Sequence, residues 1–170
     1  MIVDAYLQFK PDEEALNLAY RLGFDTVFYN KLKVLKKYTK SSLLSNIKSL
    51  KYDLILGLEK NPSYFTSGLA KIAGQKKVGV LFLFSTLLNS KPIERSKYLR
   101  NMRKVTRLCV KYDVPIVLSS GARDIWELRG KSELLALGSI IGLNGKQAKN
   151  AISIWPMKYI HKEEIVKVLE

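Results

Sequence analysis

Short apolar runs alternate with amphipathic stretches along the whole chain. The runs fall at residues 2–6, 26–29, 53–58, 78–84 and 115–118, with a weaker one at 139–143. Each is close to continuously hydrophobic, with little apolar-polar alternation, and that is the pattern of a parallel strand covered on both faces. Between them, apolar residues recur at helical spacing over 12–22, 31–38, 63–73, 93–112, 132–137 and 146–153. Local chemistry supports several boundaries. Pro11-Asp12-Glu13-Glu14 places a fixed φ and negative charge at the positive end of a helix. Gly23, Gly74 and Gly138 suit the left-handed residue that closes one.

Strands alternating with helices predict an α/β protein, either a doubly wound open sheet or a β/α barrel. A full eightfold barrel takes about 250 residues, so in 170 residues a barrel has to be trimmed or incomplete. No linker or internal repeat interrupts the chain, and a single domain over residues 1–170 is expected.

Composition leaves the class unchanged: 47% hydrophobic and 26% charged residues suit an ordinary globular protein. Charge changes the picture. Twenty-nine Lys and Arg against fifteen Asp and Glu give a formal net charge of +14. A compact domain repels itself at that charge, and a polyanion such as nucleic acid relieves the repulsion. A lysine-rich thermophile surface would raise Glu in step, and here the acids lag behind. The longest apolar run is too short to span a bilayer and no secretory signal is evident, so a cytoplasmic location is expected.

The excess is not evenly spread. Lys31, Lys33, Lys36, Lys37, Lys40, Lys48 and Lys51 form a block without an acid, which suits a solvated face and phosphate contact equally. The 93–112 segment is more informative. At about 100° per residue, Tyr98, Leu99, Met102, Val105, Cys109 and Tyr112 gather on one side, while Arg100, Arg103, Lys104, Arg107 and Lys111 form a ridge on the other. A solvated helix face mixes signs, because Glu and Lys four apart stabilise it by about 0.2–0.5 kcal/mol per pair. An unmixed ridge favours an external anion. Farther on, residues 116–124 form a strand ending in a small-residue turn. Parallel strands present ligands at their C-terminal ends, which makes Ser119, Ser120, Arg123 and Arg129 candidates for phosphate contact. For the two serines, simple turn geometry is the better account. Gly142-Leu143-Asn144-Gly145-Lys146 resembles a phosphate nest, and Asn144 as a helix cap explains it equally well. Trp126, Trp155, Tyr64 and Phe65 suit packing better than base stacking.

Catalytic chemistry is thin. His161, the only histidine, sits in a charged tail, and Cys109, the only cysteine, falls in an apolar helix stripe where it serves as core filler. A histidine-rich metal centre cannot be assembled from these. Asp4 and Glu59, at strand positions, leave an all-carboxylate magnesium site as the remaining metal option.

An ordered series of short motifs now carries a resemblance. Glu94-Arg95 leads into Leu99 and Met102, then Tyr112-Asp113-Val114-Pro115, Ser119-Ser120-Gly121-Ala122, Trp126-Glu127-Leu128-Arg129, Leu137-Gly138, Ile141-Gly142 and Gln147-Ala148-Lys149 before Ile152-Ser153. In these the chain resembles the ribonuclease P protein component 3 family, the archaeal counterpart of the eukaryotic thirty-kilodalton subunit. The resemblance implies a trimmed or distorted β/α barrel, TIM-like and of the polymerase-and-histidinol-phosphatase type. It further implies a ribonucleoprotein that removes the 5′ leader of precursor tRNA, with ribonuclease P RNA and protein component 2 as partners. Catalysis would belong to the RNA and its magnesium, and this chain would hold no metal, cofactor or active site of its own. Related metalloenzymes begin with an Asp-x-His-x-His strand. Here Asp4-Ala5-Tyr6-Leu7-Gln8 puts Tyr6 and Gln8 where imidazoles would stand. The matching motifs carry over Arg95, Arg129 and Lys149 as RNA contacts, whereas Arg100, Arg103, Lys104 and Arg107 rest on helix geometry and Arg123 on its strand-end position. Two other classes stay open: an autonomous metal-dependent phosphoesterase on the same scaffold, and an interaction scaffold whose basic face binds an acidic protein.

Overall fold

The computed structural model describes residues 1–160. Strands and helices alternate in the order β1 (Val3–Leu7), α1 (Glu13–Arg21), β2 (Thr26–Tyr29), β3 (Val34–Leu35), α2 (Lys40–Ser49), β4 (Leu54–Leu56), α3 (Ser67–Lys76), β5 (Gly79–Leu83), α4 (Phe84–Leu88), α5 (Pro92–Lys111), β6 (Ile116–Ser119), α6 (Lys131–Ile141) and α7 (Gly145–Ala151). Among these residues the strands form two parallel sheets, β1–β2 and β3–β4–β5–β6. The α/β class holds. The strands do not close into a barrel.

β1, β5 and β6 are buried along their whole length. Alternate residues serve opposite faces, as the pleat requires. Val80, Phe82 and Leu118 pack under the helices with Met102, Val105 and Leu134, whereas Leu81, Leu83 and Val117 join Val3, Ala5 and Leu54 on the inner face. Both faces are therefore dry, which is why these strands read as unbroken apolar runs.

β1 lies beside β6, but side chains do most of the joining. The Ser119 hydroxyl donates to Asp4 Oδ1, the Ser120 N–H donates to the same oxygen at 3.0 Å, and the Tyr6 N–H donates to Ser119 Oγ at 3.0 Å. One backbone bond, Gln8 N–H to the Ala122 carbonyl at 2.8 Å, ends the seam. Both serines are fully buried, so their work is structural.

Several expectations need correction. Residues 31–38 are not helical: they hold β3, and the helix comes later as α2, capped by Thr39, whose Oγ1 accepts from the Ser42 N–H at 3.2 Å. The run 139–143 is the end of α6 and not a strand. Gly74 and Gly138 close no helix; both lie inside one, while Lys77 and Gly142 take the left-handed closing positions. Gly74 is needed for another reason, since a Cβ there would stand 2.0 Å from the Tyr112 carbonyl oxygen. Gly23, at φ 88°, does follow α1 as expected. Among the described residues no helix is long and apolar enough to cross a membrane.

Candidate nucleic-acid interface

α5 starts at Pro92, and Glu94 in its first turn accepts from the Lys91 N–H at 3.3 Å. Its inward face buries Met102, Val105, Thr106 and Cys109. Burial pushes the Cys109 thiol pKa up, so it stays a neutral packing group. On the outward face Arg100, Arg103, Lys104, Arg107 and Lys111 are all exposed. Arg103 Nε donates to the Ile140 carbonyl at 2.7 Å, placing a cation at the negative end of α6. Arg100, Lys104 and Arg107 make no hydrogen bond or ion pair within residues 1–160. The ridge expected from periodicity exists as a row of cations without acid partners among the described residues.

Arg95, Arg123 and Arg129 form a different group, gathered around α4. Arg95 turns back onto the Leu87 and Ser90 carbonyls, at 2.9 and 3.0 Å. Arg129 Nη1 donates to the Trp126 and Leu128 carbonyls at 3.0 and 2.6 Å, with its guanidinium 6.0 Å from the centroid of the Phe84 ring. Arg123 pairs with Glu127 at 2.7 Å, and Glu127 also accepts from Asn89 Nδ2 at 2.9 Å. These bonds hold the Glu127 carboxyl down at about 2, chiefly through its hydrogen bonds from the Arg123 side chain. All three arginines thus shape loops as well as carrying charge. Lys149 stands apart on α7, exposed and separated from α5 by α6. Beyond α6, the Asn144 side chain caps α7 by accepting from the Gln147 N–H at 2.9 Å, which favours the cap account of that segment.

A cleft of about 620 Å³ opens at the C-terminal ends of the strands. Lys36, Lys37, Lys60 and Arg123 line it, with Glu59 and Gln8. Of these cations the sequence singles out Arg123, leaves Lys36 and Lys37 evenly between solvated face and phosphate contact, and does not mark Lys60. The available signals were weak: two adjacent lysines within an acid-free block, and a lysine directly after a strand-end Glu. Glu59 is 2% exposed and its Oε2 has no hydrogen-bond partner among the described residues. Burial pushes its carboxyl pKa up.

Asp4, with no exposure at all, is likewise raised by burial and lies at the β1–β6 seam. Among the described residues, no group of three or more His, Cys, Asp or Glu side chains comes together. His161 lies outside the described residues. Phe65 is core, as expected for an aromatic of this kind, but Trp126 is 84% exposed and packs in no core.

Comparison with known proteins places the chain. It is 36% identical to ribonuclease P protein component 3 of Thermococcus kodakarensis over 103 residues, which is 61% of this chain and 46% of that protein. It is 37% identical to the component 3 protein of Methanosarcina barkeri over 110 residues, 60% of this chain and again 46% of that protein. The chain spans less than half the length of these relatives. A chain in the cryo-EM structure of archaeal ribonuclease P with mature tRNA has a similar fold, with TM-score 0.60 and 21% identity over 95% of this chain and 81% of that one. The family model described as RNase P subunit p30 matches residues 31–165, most of the sequence, and the chain belongs to that family.

Proposed function

We propose that this protein is an RNA-binding subunit of ribonuclease P, supporting endonucleolytic removal of the 5′ leader from precursor tRNA. Its partners in that role are ribonuclease P RNA and protein component 2, with precursor tRNA engaged through the assembly. Cleavage is left to the RNA and its magnesium. The fold is read as an incomplete barrel of the polymerase-and-histidinol-phosphatase type, in a single domain.

The observation that carries this is the outward face of α5, where Arg100, Lys104 and Arg107 are exposed with no acid among the described residues bonded to any of them. Such a row lowers the repulsion between phosphates as the RNA folds, and binding to it releases counterions. Membership of a family of ribonuclease P subunits supports ribonuclease P RNA as that partner. The phosphoesterase alternative loses ground because, among the described residues, no group of three or more His, Cys, Asp or Glu side chains comes together, and Asp4 Oδ1 is already taken by Ser119 and Ser120.

Reconstitution of precursor-tRNA cleavage with and without this chain tests the proposal. Omission should lower cleavage, and RNA affinity should fall with salt at a log-log slope of about 0.7–0.9 per phosphate contact. Cleavage by the chain without RNA, or no RNA binding at low ionic strength, would overturn it.

A further inference from the structure

The geometry points to a second ligand site, separate from α5: the cleft at the C-terminal ends of the strands binds the phosphate of a single unpaired nucleotide through Lys36, Lys37, Lys60 and Arg123. This deepens the RNA-binding proposal and rests on it.

Three observations converge. The first is charge. Four cations line the cleft from three separate stretches of chain, after β3, after β4 and after β6, against one exposed acid, Glu94 in the first turn of α5. Lys37 and Lys60 make no hydrogen bond or ion pair within residues 1–160. Lys36 lies 5.4 Å from the Tyr6 ring centroid, and Arg123 is steadied by Glu127. Like charges brought together by independent elements cost free energy unless an anion joins them.

The second is Glu59. It lines the same cleft almost fully buried, with Oε2 lacking any hydrogen-bond partner among the described residues. A polar atom left unsatisfied in this way is costly, and a ligand hydroxyl or phosphate oxygen can complete it. Because burial favours the neutral acid, Glu59 cancels little of the positive charge around it. It can also donate a proton in a hydrogen bond to an anionic oxygen, as neutral buried acids do.

The third is size and position. About 620 Å³ lies within the range of sites for small ligands and cofactors. That is room for one nucleotide and too little for a duplex. Parallel α/β architectures place ligands at this end of their strands. Asn101 of α5 donates to the Glu59 carbonyl at 2.8 Å, so the cleft floor is tied to the helix that carries the ridge. An RNA lying along α5 could therefore place an extruded residue here.

The test uses the full chain at low ionic strength, titrated calorimetrically with adenosine 5′-monophosphate, adenosine and inorganic phosphate. The nucleotide should bind about tenfold or more tightly than adenosine, the difference a charge-assisted contact supplies, and more tightly than inorganic phosphate, because only the nucleoside fills the rest of the cleft. Lys37→Ala/Lys60→Ala should lose about tenfold in nucleotide affinity. Both lysines are exposed, and an unchanged melting temperature would show that the variant folds. Independently, the nucleotide should shield Lys37 and Lys60 of the wild-type chain from acetic anhydride, read by mass spectrometry. Arg100→Ala/Arg107→Ala should lose long-RNA affinity while keeping the nucleotide, which separates failure of the ridge from failure of the cleft. Equal binding of adenosine, equal binding of inorganic phosphate, an unaffected lysine variant, or unshielded lysines would each overturn the assignment.

Discussion

Asp4 shows how one side chain can serve the fold while resembling a catalytic one. Its Oδ1 takes the Ser119 hydroxyl and the Ser120 N–H, and its burial favours the uncharged form. Asp4→Asn keeps that acceptor oxygen and removes the charge, so urea unfolding near neutral pH should show stability retained or raised. Asp4→Ala leaves the buried Ser120 N–H without its acceptor, while the Ser119 hydroxyl keeps the Tyr6 carbonyl at 3.2 Å, and should cost about 1–3 kcal/mol. Glu127 behaves in the opposite way. Its carboxyl is held at about 2 against an ordinary value of 4.5, so its contribution is present above pH 4.5 and is lost as pH falls towards 2. A melting-temperature profile should therefore drop across that window, and Glu127→Gln should flatten that part of the profile. Roles of this kind were hard to read in the sequence. Asp4 and Glu59 looked alike as strand-end acids, and only burial and partners, which depend on residues more than a hundred positions away in the case of Asp4, tell them apart.

At the scale of elements, periodicity served best where a helix has one wet and one dry face. α5 lies within a residue of its expected bounds because cations and apolar residues separate cleanly around it. The segment 31–38 failed because its apolar residues, Leu32, Val34, Leu35 and Tyr38, satisfy helical and extended spacings alike. α2 was missed because Ser-rich helices have weak propensity, although Leu43 and Ile47 sit four apart and are buried. α6 is apolar on several sides, packed against both α5 and α7, so its end imitated a strand. Gly74 carries a prediction at this scale. Ala normally stabilises a helix interior over Gly by about 1 kcal/mol. In α3 the sign should invert, because the new Cβ meets the backbone at the end of α5. Gly74→Ala is expected to destabilise the protein by about 1–3 kcal/mol, the usual cost of overpacking, as measured by denaturant unfolding.

For the whole molecule, net charge was the most legible property and its layout the least. The +14 excess pointed to a polyanion, but it resolves into a free row on α5, a loop-binding trio around α4 and a cluster in the strand-end cleft. Different consequences follow for each. Arg100→Ala/Arg107→Ala should flatten the salt dependence of RNA binding by about two contacts' worth, a log-log change of roughly 1.4–1.8, with the melting temperature unaltered. Arg95→Ala should lower the melting temperature as well as affinity, since it removes the donors that hold the Leu87 and Ser90 carbonyls.

The junction of β1 with β6 gives the molecule a place to part. Most neighbouring strands here are held by a ladder whose rungs must break together, but this pair is fastened mainly by one carboxylate and two hydroxyl-bearing residues. Deuterium should therefore enter at the Tyr6 and Ser120 amides through a local breathing of the seam, while the Val80 and Phe82 amides wait for global opening. Opening there would part β1–β2 from the four-stranded sheet without breaking the ladder of either.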